Sequence, residues 1–129
     1  MKLSKNDQEL VKQAKKLVNV RKVSGGIVGE VGCALITKNG DIFSGVSLDL
    51  SCGIGFCGEH SAISNMISHS KETKINTIVA YGENVMYPCG RCREMIRLID
   101  KKNWNNTYVI ISKSKKVKLK ELLPGNWLE

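Results

Sequence analysis

No stretch of this 129-residue chain approaches the roughly 18 consecutive apolar residues that a membrane-spanning helix needs. A membrane partner is therefore not expected. Aromatic residues are scarce, at 5%, and do not interleave with the lysines. A stacking platform for single-stranded nucleic acid is thus not indicated. There are no repeats, no low-complexity tracts and no linker. The opening residues Met1-Lys2-Leu3-Ser4-Lys5-Asn6-Asp7 have no apolar core behind them, so a secretory leader is not expected and a cytoplasmic location is. What is present is an ordinary globular composition, 42% hydrophobic and 25% charged. It fits one domain over residues 1–129 with a core of its own.

Twenty basic against 12 acidic residues leave a net charge of +8. The lysines gather toward the two ends, with Lys12, Lys15 and Lys16 early and Lys113, Lys115, Lys116, Lys118 and Lys120 late. Such a surface could meet an anionic partner, but a solvated basic face is the plainer reading, and nucleic acid is not the expected partner.

The hydrophobic pattern outlines the elements. Leu10, Val11, Ala14, Leu17 and Val18 carry helical spacing between Asp7 and about Val20. Ser24-Gly25-Gly26 ends that segment. Ile27–Ile36 reads as a buried strand. Lys38-Asn39-Gly40-Asp41 reads as a hairpin turn, with Asn-Gly suited to positive φ at both central positions. A second strand follows over Ile42–Leu48, then a glycine-rich loop from Ser51 to Gly58. Glu59–Ser70 predicts a helix burying Ala62, Ile63, Met66 and Ile67. Asn76–Tyr81 predicts a strand. Gly90–Lys101 predicts a helix burying Met95, Ile96, Leu98 and Ile99. Thr107–Ser112 predicts a last strand, and Leu119–Leu123 one helical turn stopped by Pro124-Gly125. The order α-β-β-α-β-α-β suits an α/β fold with a central mixed sheet covered by helices.

Five cysteines without an export signal argue against a disulfide framework. Pro88-Cys89-Gly90-Arg91-Cys92 opens a predicted helix, so the two sulfurs, three residues apart, share one side. The free N–H groups and the dipole of a helix start also favour thiolates. Taken alone, one Cys-x-x-Cys could be a redox pair or half of a four-cysteine structural zinc site. The second half is missing, because Cys52 and Cys57 are five apart across the glycine-rich loop. Phe56-Cys57-Gly58-Glu59-His60 opens another predicted helix. Two residues apart in a regular helix, Cys57 and Glu59 would point about 200° from each other. They converge only if Cys57 has cap-like dihedrals, a bend that Gly58 would ease. Cys57, Cys89 and Cys92 would then hold a metal and leave one position open, as catalytic zinc sites do.

Cys57-x-Glu59 followed by Pro88-Cys89-x-x-Cys92 resembles the zinc deaminases of the cytidine deaminase superfamily, in its free-nucleoside branch. The resemblance implies the three-layer α-β-α sandwich of that family. It also implies zinc as cofactor and hydrolysis of a cytosine amine to uracil and ammonia. Glu59 would be the catalytic proton carrier. Three thiolates leave the site with a negative charge, and Arg91 and Arg93 are the candidate cations to offset it. His60 stands where such enzymes usually carry an arginine against a ligand sulfur. Their Gly-x-Asn-x-Glu stretch, which grips ribose, is here Gly45-Val46-Ser47-Leu48-Asp49, so Ser47 and Asp49 are shorter substrate contacts. Their phenylalanine before Val-Gly is replaced by Gly29.

Arginine between the cysteines and the ending Glu121-Leu122-Leu123-Pro124-Gly125-Asn126-Trp127 are similar to blasticidin-S deaminases. By that likeness Trp127 is a candidate lid over the substrate, with a packing aromatic as the alternative. The substrate implied is a cytosine nucleoside or nucleoside-like compound. The assembly implied is a homotetramer. The rival is a zinc-binding or nucleic-acid-binding module without deaminase activity.

Overall fold

The computed structural model describes residues 1–128. Its first helix, α1 (Lys5–Leu17), starts at a reciprocal cap. The Ser4 side chain accepts from the Asp7 amide at 3.1 Å, and the Asp7 carboxylate accepts from the Ser4 amide at 2.9 Å. The strands β1 (Arg21–Val23), β2 (Gly26–Thr37) and β3 (Ile42–Leu50) follow, with β2 antiparallel to both others. A 3-10 turn at Ser51–Gly53 and the short β4 (Gly55–Phe56) lead into α2 (Gly58–His69). Then come β5 (Ile75–Tyr81), β6 (Val85–Met86), α3 (Gly90–Ile99), α4 (Asn103–Asn106), β7 (Tyr108–Ile110), β8 (Lys116–Lys118) and α5 (Leu119–Leu122). The main sheet runs β4-β3-β2-β5-β7-β8; β1 pairs with β2, and β6 pairs with β5. Only β5 and β7 are parallel, so the sheet is mixed, as expected.

Strand alternation sorts the core into two faces. Cys33 and Leu35 of β2, Ile78 of β5 and Val109 of β7 pack with Ala62, Ile63, Met66 and Ile96 from α2 and α3. Their strand neighbours Ala34, Val79 and Ile110 point the other way, onto Leu10 and Ala14 of α1. The result is the three-layer arrangement.

The hairpin between β2 and β3 differs from its expected form. Gly40 alone has positive φ, at 92°. The Gly40 amide donates to Thr37 O at 3.0 Å and the Thr37 amide to Asp41 O at 2.8 Å. This is a three-residue loop, a tight turn followed by one left-handed glycine, so Asn39 never needs positive φ. Two core assignments also fail. Ile67 and Leu98 are 47% and 51% exposed, on the outer faces of α2 and α3.

The chain after α5 is held by side chains from α3 and α4. Arg93 donates to Leu122 O at 3.0 Å, Trp104 Nε1 to Leu123 O at 2.8 Å and Arg97 to Gly125 O at 2.8 Å. Arg97 is 1% exposed and its charge is met by Glu94 at 2.8 Å. Burial of a guanidinium is tolerable only with such a partner.

Candidate metal centre

Two helices deliver the centre from their first residues. Cys57 is the N-cap of α2, with φ −71° and ψ 158°, and Cys89 is the N-cap of α3, with φ −68° and ψ 169°. Both are extended, which frees each side chain to turn away from its helix axis. Cys92 lies one turn into α3 and is fully buried. The Cys57 and Cys89 sulfurs are 3.6 Å apart, those of Cys89 and Cys92 3.3 Å, and all three lie within 4.8 Å of one another.

Helix α2 reaches this position because two glycines let it sit close on the sheet. A Cβ on Gly58 would stand 3.1 Å from Val31 O and 3.3 Å from the Cys33 Cβ. A Cβ on Gly45 of β3 would run into the Ser61 side chain and stand 2.8 Å from the Ala62 amide nitrogen. Gly58 therefore supplies space rather than the backbone freedom expected of it, since its φ is not positive.

The three sulfurs fit a zinc ion. A disulfide would bring two of them to about 2.05 Å. Tetrahedral ligation at about 2.3 Å places neighbouring sulfurs about 3.8 Å apart, near the spacing found. Among the described residues no fourth His, Cys, Asp or Glu joins the group. Cys52 is exposed and outside it, and Cys33 is buried in the core.

Glu59, in the first turn of α2, is 4% exposed. Burial raises its carboxyl pKa, against the opposing pull of its own amide and of the Cys92 thiol. Burial likewise raises the Cys57 thiol, with the Cys89 and Glu59 charges adding to it. Burial and the Glu59 charge push Cys92 far above an ordinary thiol. Cys89 goes the other way. Burial opposes its ionisation, but the Cys92 amide, the Cys92 and Cys57 thiols and the Arg91 amide together lower its pKa. The start of α3 thus supports one thiolate before any cation does.

A cavity of about 440 Å³ opens onto this centre. Cys57, Glu59 and Cys89 line it together with Ser47, Asp49 and Arg91. The Ser47 hydroxyl accepts from the Val31 amide at 3.0 Å and keeps its own proton to donate. Sequence reasoning missed Glu30 and Tyr87, which also form its walls. Glu30 had a signal: it is the one charge within the apolar run Ile27–Ile36. It follows Gly29, whose φ of 79° accompanies a register shift between Val28 and Gly32 and re-aims the strand.

The remaining candidates lie elsewhere. Arg93 does not face the sulfurs. Its Nε donates to Pro88 O at 2.8 Å while another guanidinium nitrogen holds Leu122 O, so it braces the backbone beside Cys89. His60 lines a neighbouring groove between α2 and α3, and Arg91 borders both that groove and the cavity. Burial, helped by the Arg91 charge, lowers the His60 pKa. Trp127 does not line the Glu59 cavity. Its indole donates to Glu94 at 2.7 Å and its ring stacks 5.2 Å from the Arg97 guanidinium.

Residues 4–107 match the family model described as the cytidine and deoxycytidylate deaminase zinc-binding region. The chain is 32% identical over 105 residues to blasticidin-S deaminase of Bacillus cereus, with 73% of each protein covered. It is 33% identical over 67 residues to a probable cytidine deaminase of Dictyostelium discoideum, covering 50% of this chain and 46% of that one. The solved cytidine deaminase of Mycobacterium tuberculosis superposes with a TM-score of 0.72 at 19% identity, over 95% of this chain and 94% of that one. The enzyme of Bacillus anthracis gives 0.68 at 24%, over 93% and 88%. These structural likenesses establish the fold, while the matched sequence carries the cysteine and glutamate motifs. By the family model and the matched blasticidin-S deaminase sequence, the chain belongs to the cytidine and deoxycytidylate deaminase zinc-binding family.

Proposed function

We propose that this protein is a zinc-dependent hydrolase that converts the cytosine amine of a nucleoside or nucleoside-like compound, of cytidine, deoxycytidine or blasticidin S type, to uracil and ammonia. The observation that carries the reading is the meeting of three thiols with one carboxyl group outside their cluster, with Cys57, Cys89 and Glu59 bordering a single cavity. Zinc held by Cys57, Cys89 and Cys92 supplies a Lewis acid that makes a water molecule acidic near neutral pH.

Glu59 does the proton work. Its carboxylate accepts the proton of the attacking water and passes it to the ring nitrogen beside the attacked carbon. It then takes the remaining proton from the hydroxyl added to that carbon and delivers it to the departing amine. Burial suits it to this double role, because it raises the carboxyl pKa and so makes the carboxylate a better proton acceptor than an exposed glutamate. Water and cytosine are consumed, uracil and ammonia are formed, and Glu59 returns to its starting state. Ser47 donates its free hydroxyl proton to a sugar-like oxygen, and Asp49 accepts from a hydroxyl. Arg91 and the first amides of α3 offset the thiolate charge. Trp127 takes no part within one chain, because its indole is already engaged by Glu94.

The exposed Ile67 and Leu98, and the groove of about 1010 Å³ that Phe56, Met95, Leu98 and Ile99 help to line, support assembly into a homotetramer through the α2–α3 face. The free cysteines suit a reducing compartment, which supports a cytoplasmic site of action.

The test is an ammonia-release screen of zinc-loaded protein against cytidine, deoxycytidine, blasticidin S, cytosine and guanine, repeated with Glu59→Gln. The expected result is turnover of at least one cytosine compound, falling roughly a thousandfold or more in the variant while zinc stays bound. Turnover that survives in Glu59→Gln removes the carboxyl from the mechanism. Zinc binding with no turnover of any compound favours the non-catalytic module.

A further inference from the structure

A second cavity, of about 460 Å³, lies away from the metal, and it is built unlike the first. It forms where the two parallel strands part company. β5 and β7 run side by side, with Thr77 opposite Tyr108 and Ile78 opposite Val109. Beyond their C-terminal ends β5 turns back through Gly82–Asn84 into β6, and β7 turns back through Ser112–Ser114 toward β8. Divergence of parallel neighbours leaves a crevice outside their carboxyl ends, the position where open α/β sheets commonly take ligands. α1 forms the other wall.

The walls have one sign of charge. Lys12 and Lys15 of α1 and Lys113 of the β7–β8 turn surround the cavity, and among the described residues no carboxylate lines it. Among the described residues none of these three ammonium groups is in an ion pair, whereas Lys74, Lys116 and Arg97 are. Glu83, on the adjoining turn, is not part of the walls. The Asn84 amide and the Tyr81 hydroxyl border the same space, and neither makes an intramolecular hydrogen bond among the described residues. Beneath these tips lies an apolar floor of Val11, Val85 and Ile111. The Lys15 ammonium stands 5.8 Å from the centroid of the Tyr81 ring, so the charge is held over the cavity by an aromatic face.

We propose that this crevice binds a small phosphate monoester carrying a planar ring, of mononucleotide type. The three lysines and the Asn84 amide take the phosphate, and the Tyr81 edge with the apolar floor takes the ring. Lysine ammonium groups at the rim of a low-dielectric pocket attract a dianion more strongly than the same groups in open solvent. An apolar floor adds area that inorganic phosphate cannot use. This site is independent of the deaminase reading. It is separate from the catalytic cavity by strand alternation: Ala80 and Met86 line the metal side of the β5–β6 pair, while Tyr81 and Val85 line this one.

Calorimetric titration of the zinc-loaded full chain with AMP at low ionic strength tests the proposal. AMP has no cytosine amine, so turnover in the catalytic cavity cannot confuse the result. The expected outcome is one saturable site, with inorganic phosphate about tenfold weaker or worse. The combined variant Lys12→Gln, Lys15→Gln, Lys113→Gln should lose about tenfold or more in affinity. A charge-matched control, Lys22→Gln, Lys71→Gln, Lys120→Gln, should keep it; all three of those lysines are exposed and outside the crevice. Amide shifts on AMP addition should fall on residues 12–15, 81–85 and 112–114. Three results overturn the proposal: no saturable binding, equal loss in the control variant, or shifts centred on Cys57 to Glu59.

Discussion

Three helices of ten or more residues start in two different ways, and the contrast separates what the fold needs from what the chemistry needs. α1 opens on Ser4 with both halves of a reciprocal cap in place. α2 and α3 open on Cys57 and Cys89, neither of which makes a side-chain cap hydrogen bond. A good cap is worth about 1 kcal/mol. Two helices therefore forgo that stabilisation so that their first side chains can turn toward each other. The first amides of α3 still favour negative charge on the nearby sulfur, and Cys89 is accordingly the thiol whose pKa is lowered.

Replacing a metal-facing cap tests the contrast most severely. Cys89→Ser should weaken zinc binding by roughly a thousandfold or more, read by competition with a chromogenic chelator, because one of three thiolates is lost. Unchanged affinity would mean that Cys89 caps α3 and nothing else.

A smaller effect is expected at the helix that is capped for stability. Asp7 holds the Ser4 amide and also pairs with Lys116 at 2.7 Å, with both side chains largely buried. Asp7→Asn should lower stability by about 2 kcal/mol in denaturant titrations and leave zinc affinity unchanged. Burial alone would raise the Asp7 pKa, but its bonds to Lys116 and Ser4 prevail and lower it below the usual 3.8. Its contribution is therefore present above about pH 4 and lost as pH falls through the depressed folded value. The variant should show a flatter acid limb between neutral pH and that range.

Arg93 supports the metal-facing start of α3, since it grips Pro88 O before that helix and Leu122 O of α5. Arg93→Gln should release Pro88 O and cost about tenfold in zinc affinity, with little change in α1-dependent stability. The smallest expected effect has the opposite sign. In metal-stripped protein, Cys57→Asn should raise stability by up to about 1 kcal/mol, because asparagine is the better cap. A loss there would show that Cys57 stabilises α2 without metal.

The sequence exposed much of this arrangement because metal chemistry leaves dense local signals. Cys57-x-Glu59 and Pro88-Cys89-x-x-Cys92 each sit at the first break in helical spacing, so both their chemistry and their placement could be read. The elements that carry the core were readable too, from the apolar strands and the helix periodicity. β1, β4, β6 and β8 were not, because strands of two or three residues carry no period. Ile67 and Leu98 were assigned to the core because a helix pattern shows which residues are apolar and not which apolar face finds a partner. Glu30 entered the cavity through a bulge, a backbone event that spacing does not encode.

From Leu122 to Gly125 the chain is grasped by its backbone, and at Trp127 by a side chain that Glu94 and Arg97 hold. Arg93, Trp104 and Arg97 reach the carbonyl oxygens of Leu122, Leu123 and Gly125, which any residue would offer. Substitution at Leu123 should therefore be forgiven, while Leu122 packs against the core, Gly125 keeps a φ of 83° that favours glycine, and shortening the stretch removes its anchors. Arg97, already without a partner for its Nε, would lose one of its few acceptors in the interior. The stretch behaves as a cord knotted at Leu122, Gly125 and Trp127, and its tension through Arg93 steadies the loop beside Cys89.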